Sequence, residues 1–113
     1  MFEVRPLTPS IGAEISGISL NDELNDDAIE QVYNSLIKHQ VIFFRNQNLS
    51  PELHLKLAES LGEIDPGHPV YPHVDGYQSI VLLRNDANNR PDTADWHKDL
   101  TFKSNPPFAS ILH

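Results

Sequence analysis

His97 and Asp99, in the run Trp96-His97-Lys98-Asp99, are the residues best suited to chemistry in this chain. Side chains alternate sides along an extended backbone, so residues two apart project together. An extended stretch here would put His97 and Asp99 on one face and Trp96, Lys98 and Leu100 on the other. One imidazole nitrogen and one carboxylate oxygen, completed by a distant second His, form the 2-His-1-carboxylate triad that holds Fe(II) and leaves coordination positions open. The same two donors also suit zinc. Taken alone, His-x-Asp is more often a surface pair at the start of a strand, hydrogen-bonded locally. The surroundings favour the metal reading. A polar loop, Asn85-Asp86-Ala87-Asn88-Asn89-Arg90-Pro91-Asp92, precedes the pair, and Leu100-Thr101-Phe102 and Pro106-Pro107-Phe108-Ala109-Ser110-Ile111-Leu112 follow it.

A second group, His68, Tyr71 and His73, lies in a stretch punctuated by Pro69 and Pro72. Proline and the residue before it have restricted backbones, which hold neighbouring side chains in set directions. That suits a rigid connector and a binding site equally well. Trp96 reads as a core anchor on the face opposite His97, and Thr93 reads equally as a turn cap or a hydrogen-bond donor. His39 reads as structural or exposed, His54 as exposed on a helix, and His113 carries no signal. Asp22, Glu23, Asp26 and Asp27 read as solvated charges at a helix start rather than a catalytic pair.

The elements that must position these residues can be read from periodicity. Phe2-Glu3-Val4 and Ala13-Glu14-Ile15 read as short strands separated by Pro6, Pro9 and Gly12. Asn25 is a good helix N-cap, with acids favourable in the first turn. Ile29, Val32, Tyr33, Leu36 and Ile37 then form one apolar helical face. Val41-Ile42-Phe43-Phe44 predicts a buried strand. Ser50-Pro51 opens a second helix, whose inner face is Leu53, Leu57, Ala58 and Leu61 and whose stop is Gly62. Buried strands are expected over 79–83 and 108–112, and a mobile loop over 85–95. Strands and helices in no βαβ rhythm predict an α+β or jelly-roll architecture.

Composition narrows the function. The chain has 113 residues, a formal net charge of −8 and 39% hydrophobic residues, so one small domain is expected. The acidic balance without a Lys/Arg cluster argues against nucleic acid. No window approaches the ~20 apolar residues of a membrane span. The start, Met1-Phe2-Glu3-Val4-Arg5, lacks a signal-peptide pattern. There are no cysteines, which excludes disulfides and thiolate sites. A cytoplasmic location is the expectation, and a homo-oligomer is compatible with the sequence.

Several segments, in order, carry a resemblance. They are Ile11-Gly12-Ala13-Glu14-Ile15-Ser16-Gly17, His39-Gln40-Val41-Ile42-Phe43-Phe44-Arg45-Asn46-Gln47, Leu61-Gly62-Glu63-Ile64, His68-Pro69-Val70-Tyr71-Pro72-His73, and Trp96-His97-Lys98-Asp99-Leu100-Thr101-Phe102 with the Pro-Pro segment. With them the chain resembles the TauD/TfdA family of Fe(II)- and 2-oxoglutarate-dependent dioxygenases along nearly its whole length. The resemblance implies an amino-terminal portion, residues 1–113, of a single domain whose fold is a double-stranded β-helix (jelly roll) with flanking helices.

It further implies Fe(II) held by His97 and Asp99, with 2-oxoglutarate and O₂ as cosubstrates. The distal His and the Arg that grips 2-oxoglutarate are expected beyond His113, so the segment alone is expected to be inactive. His68 and Tyr71 match residues that bind the sulfonate of a small anionic substrate, and imidazole N–H and phenol O–H donors suit such an anion. Leu100 matches a residue on the apolar side of the pocket. The implied reaction is hydroxylation of taurine or a similar small sulfonate, releasing sulfite for sulfur scavenging. Two departures bear on the substrate rather than the class. Thr93 stands where members acting on taurine carry Asn, and the segment Ile64-Asp65-Pro66-Gly67-His68 is one residue longer than in those members. The alternatives are the same chemistry on another anion, such as an alkyl sulfate or an aryloxy acid, and a non-catalytic small metal-binding domain.

Overall fold

The computed structural model describes residues 2–67, 71–90, 95–98 and 102–113. It divides into two compact units, Met1–Leu61 and Gly62–His113.

In the first unit, strands β1 (Glu3–Pro6), β2 (Ala13–Ser16) and β3 (Ile42–Phe44) form a sheet in the order β1-β2-β3. β1 pairs antiparallel with β2, Arg5 opposite Glu14, and β2 pairs parallel with β3, Glu14 opposite Phe43. Thr8 ties the β1–β2 turn: its Oγ1 accepts the Ile11 N–H at 2.9 Å and donates to the Ile11 carbonyl. A parallel pair needs a crossover of a dozen or more residues, and helix α1 (Asp26–His39) supplies it. One β-α-β unit is therefore present where the sequence suggested no such rhythm. Asn25 caps α1 as expected, its side chain accepting the Ala28 N–H at 2.9 Å. Helix α2 (Pro51–Leu61) begins at Ser50, whose Oγ accepts the Leu53 N–H at 3.2 Å.

The core of this unit consists of Ala13, Ile15, Leu20, Val32, Leu49 and Leu57, with Ile15 and Val32 the most enclosed large side chains. Alternation along β2 sends Ala13 and Ile15 inward and leaves Glu14 half-buried on the other face. There Glu14 pairs with Arg5 and Arg45, each at 3.2 Å, and the Arg45 guanidinium lies over the Phe43 ring. The two arginines, Arg45 first, hold the Glu14 carboxyl below its usual range.

Two predicted surfaces are placed differently. Tyr33 and Ile37 are exposed, because the sheet covers α1 along Val32 and its flanking half-buried Ile29 and Leu36. β3 is only half-buried, with Val41 and Phe43 exposed, since it is an edge strand open on one side.

One amide side chain joins two segments distant in sequence. Gln47 Oε1 accepts the Leu20 N–H at 2.7 Å, and its Nε2 donates to the carbonyls of Ile18 at 3.2 Å and Arg45 at 3.0 Å. Both functions of the amide are used, which locks the segment after β2 to the segment after β3.

In the second unit, β4 (His73–Val74) and β5 (Tyr77–Val81) form an antiparallel hairpin around Asp75-Gly76, with Gly76 at φ +79°. The expected strand over 79–83 thus starts two residues earlier, and Leu82 and Leu83 are exposed. His73, read as part of a loop, opens β4. Among the described residues the expected strand over 108–112 is not formed: the backbone bends at Phe108, and no described strand pairs with the segment. The α+β character holds, with two helices and two small sheets among the described residues. Among the described residues no helix is long and apolar enough to cross a membrane.

Candidate functional site

The residues singled out for chemistry all fall within Gly62–His113. Of these, His97 and Tyr71 are described, whereas His68, Thr93, Asp99 and Leu100 lie outside the described residues. Residues 96–98 are not in a strand, and Asp99, two positions after His97, lies outside the described residues. Trp96 is not the expected core anchor. Among the described residues it is fully exposed.

His97 is nevertheless oriented. Its Nδ1 lies 2.8 Å from the Asp95 carbonyl oxygen, which can only accept, so Nδ1 carries the proton. In the neutral ring the lone pair is then on Nε2, the atom a metal ion takes. Metal-binding histidines commonly donate their other N–H to a backbone carbonyl in this way, which fixes tautomer and ring direction. An imidazole held in this way fits an iron ligand. Among the described residues no group of three or more His, Cys, Asp or Glu is gathered for a metal.

The approach to the second group is well defined. The loop after α2 runs through Asp65, whose Oδ1 accepts the Gly67 N–H at 3.1 Å and whose Oδ2 pairs with Lys103 Nζ at 3.3 Å. The Gly67 N–H is the main cause that holds the Asp65 carboxyl below its usual range, with Lys103 adding to it against partial burial. Tyr71 is half-buried, and Pro72 accepts the Leu82 N–H at 2.8 Å, tying this stretch to the end of β5.

The polar loop expected to be mobile contains a tight turn. Asp86 Oδ1 accepts the N–H groups of Asn88 and Asn89, each at 2.8 Å, and Asn89 Nδ2 donates to the Arg84 carbonyl. Aspartate at the start of such a turn is a readable signal.

Two pockets lie in the first unit and contain none of the predicted site residues. One is a cavity of about 50 Å³ lined by Leu20, Ile29 and Leu57; the other is an open cleft of about 330 Å³ lined by Phe2, Val4, Lys38 and His39.

The chain belongs to the TauD/TfdA family of dioxygenases: residues 3–113 match the family described as taurine catabolism dioxygenase TauD, TfdA family. It is 38% identical over 112 residues to an alpha-ketoglutarate-dependent sulfate ester dioxygenase of Pseudomonas putida, covering 98% of this chain and 36% of that protein. It is 39% identical over 112 residues to an alkylsulfatase of Acinetobacter baylyi, covering 98% and 34%. A taurine dioxygenase structure from Burkholderia xenovorans superposes with a TM-score of 0.67 at 38% identity, covering 74% of this chain and 31% of that one. The chain thus spans about a third of the length of the relatives it matches.

Proposed function

We propose that the whole protein is an Fe(II)- and 2-oxoglutarate-dependent dioxygenase acting on a small anion with a sulfur oxyacid headgroup, taurine or a similar sulfonate. Residues 1–113 are read as the amino-terminal portion of its single catalytic domain. The observation that carries this reading is the family match across residues 3–113, which includes His97 and Asp99.

In this reading His97, through Nε2, and Asp99 would hold the iron together with a His beyond residue 113. Bound together, iron and 2-oxoglutarate supply the oxidising chemistry: O₂ is consumed, 2-oxoglutarate becomes succinate and CO₂, and one oxygen enters a substrate C–H bond. His68 and Tyr71 donate hydrogen bonds to the anionic headgroup and so aim the adjacent carbon at the metal. Leu100 lines the apolar side of the pocket, and Thr93 meets the far end of the substrate. Hydroxylation of the carbon next to a sulfonate gives a product that expels sulfite and leaves an aldehyde. A cytoplasmic location is the one proposed for a cysteine-free chain of this kind.

A second substrate is favoured by a specific observation. Two relatives at 38% and 39% identity are named for sulfate esters. Oxidation of the carbon bearing a sulfate ester would release sulfate and the same kind of aldehyde.

The test supplies the whole protein with Fe(II), 2-oxoglutarate, ascorbate and either taurine or a short alkyl sulfate. Succinate formed in step with sulfite supports the sulfonate reading, and succinate in step with sulfate selects the ester. Succinate formation that neither substrate stimulates would contradict both.

A further inference from the structure

Three contacts converge on the short stretch that leads into His68. Gly67 has φ +103°, a conformation L side chains rarely adopt, and a Cβ there would meet the Gln78 carbonyl oxygen of β5 at 2.5 Å. Only glycine lets the loop lie this close to the strand. Asp65 Oδ1 accepts the Gly67 N–H, which closes the turn around Pro66. Asp65 Oδ2 takes Lys103 Nζ, 38 positions further along the chain. Residues 65–67 are thus fixed to β5 by backbone packing and to Lys103 by charge.

The two ends of this tether have neighbours that matter. His68 follows Gly67 directly, and Lys103 comes four positions after Asp99. We propose that Asp65 is a positioning residue of the substrate site: its carboxylate joins the loop leading to the anion-binding His68 to the segment carrying the metal ligand Asp99. The proposal rests on the roles given to His68 and Asp99 above. One oxygen shapes the loop and the other sets its reach toward the metal segment.

The ion pair is partly solvated, with side-chain exposures of 33% for Asp65 and 42% for Lys103. Exposed pairs of this kind add little to global stability. Its effect belongs in substrate placement, where a shift of about 1 Å can cost on the order of 100-fold in rate.

The test uses the whole protein with Asp65→Asn, Lys103→Met, the double variant and Lys103→Arg. Asparagine keeps an acceptor for the Gly67 N–H and removes the charge. Steady-state kinetics are measured on whichever of taurine or alkyl sulfate is turned over better, and hydrogen–deuterium exchange is followed over residues 62–72 and 95–107. Each single variant is expected to raise KM about tenfold, with a smaller fall in kcat, and the double variant to match the singles, because one link is cut in each case. Lys103→Arg restores the charge and recovers most of KM. Lys103→Met also speeds exchange over 62–72, remote in sequence from the substitution. Unchanged KM, additive effects, or exchange altered only around each substitution would overturn the proposal. If the wild-type protein forms no substrate-dependent succinate, the dioxygenase reading fails, and the exchange measurement alone decides whether Asp65 couples the two segments.

Discussion

His97 shows how a weak motif gains content from one hydrogen bond. The tripeptide could not distinguish a surface pair from a metal pair, but the Asp95 carbonyl at Nδ1 selects a tautomer that fits metal binding. That contact was not readable beforehand, since it depends on backbone direction and not on residue type. Asp65 was missed for the same reason. Its partner Lys103 is 38 positions away, although Asp65-Pro66-Gly67 carries a local turn signal. Thr93 was legible only by resemblance. If it marks a shift away from taurine, Thr93→Asn is expected to raise kcat/KM for taurine relative to longer alkylsulfonates. Competition assays with paired substrates check this, and an unchanged preference order would make Thr93 a neutral replacement.

At the scale of elements, the helices were the most legible parts because capping and periodicity are local. Asn25 and Ser50 cap α1 and α2 where the sequence placed their starts. Strands depend on partners that the sequence does not display. The segment 108–112 is apolar enough for a strand yet has no described ladder, whereas β4 is two residues long and forms because the Asp75-Gly76 turn returns the chain onto it. The buried side of α1 was misplaced by part of a turn, since Tyr33 and Ile37 extend the apolar stripe beyond what the sheet covers. Gln47 makes a testable case for long-range polar fixing. Gln47→Ala leaves the Leu20 N–H and the Ile18 carbonyl without their partner and is expected to cost about 1–3 kcal/mol. Urea denaturation checks it; a midpoint within error of wild type would show that solvent replaces the amide.

At the scale of the molecule, charge sets a pH signature. Glu14 between Arg45 and Arg5, and Asp65 between the Gly67 N–H and Lys103, both have carboxyls held below their usual range in the folded state. A group whose folded pKa is depressed contributes stability above its unfolded pKa and loses it as pH falls through the folded value. Both contributions are therefore complete at neutral pH and are lost below about pH 4. Glu14→Gln is expected to lower Tm at pH 7, with the difference from wild type shrinking as pH falls below the usual carboxylate range, which thermal melts across acid pH measure.

The family, the α+β character and the helices were legible in the 113 residues, whereas strand pairing, which depends on partners distant in sequence, was not. The proposed iron ligation by His97 and Asp99 is measured by Fe(II) equilibrium dialysis and succinate formation in the whole protein and in its His97→Ala and Asp99→Ala variants, with circular dichroism as the folding control. Each variant is expected to keep the wild-type spectrum, to lose more than the roughly 10–100-fold in affinity that removal of an outer-shell partner costs, and to form no substrate-dependent succinate. Near-wild-type iron affinity and turnover in either variant would contradict the assignment.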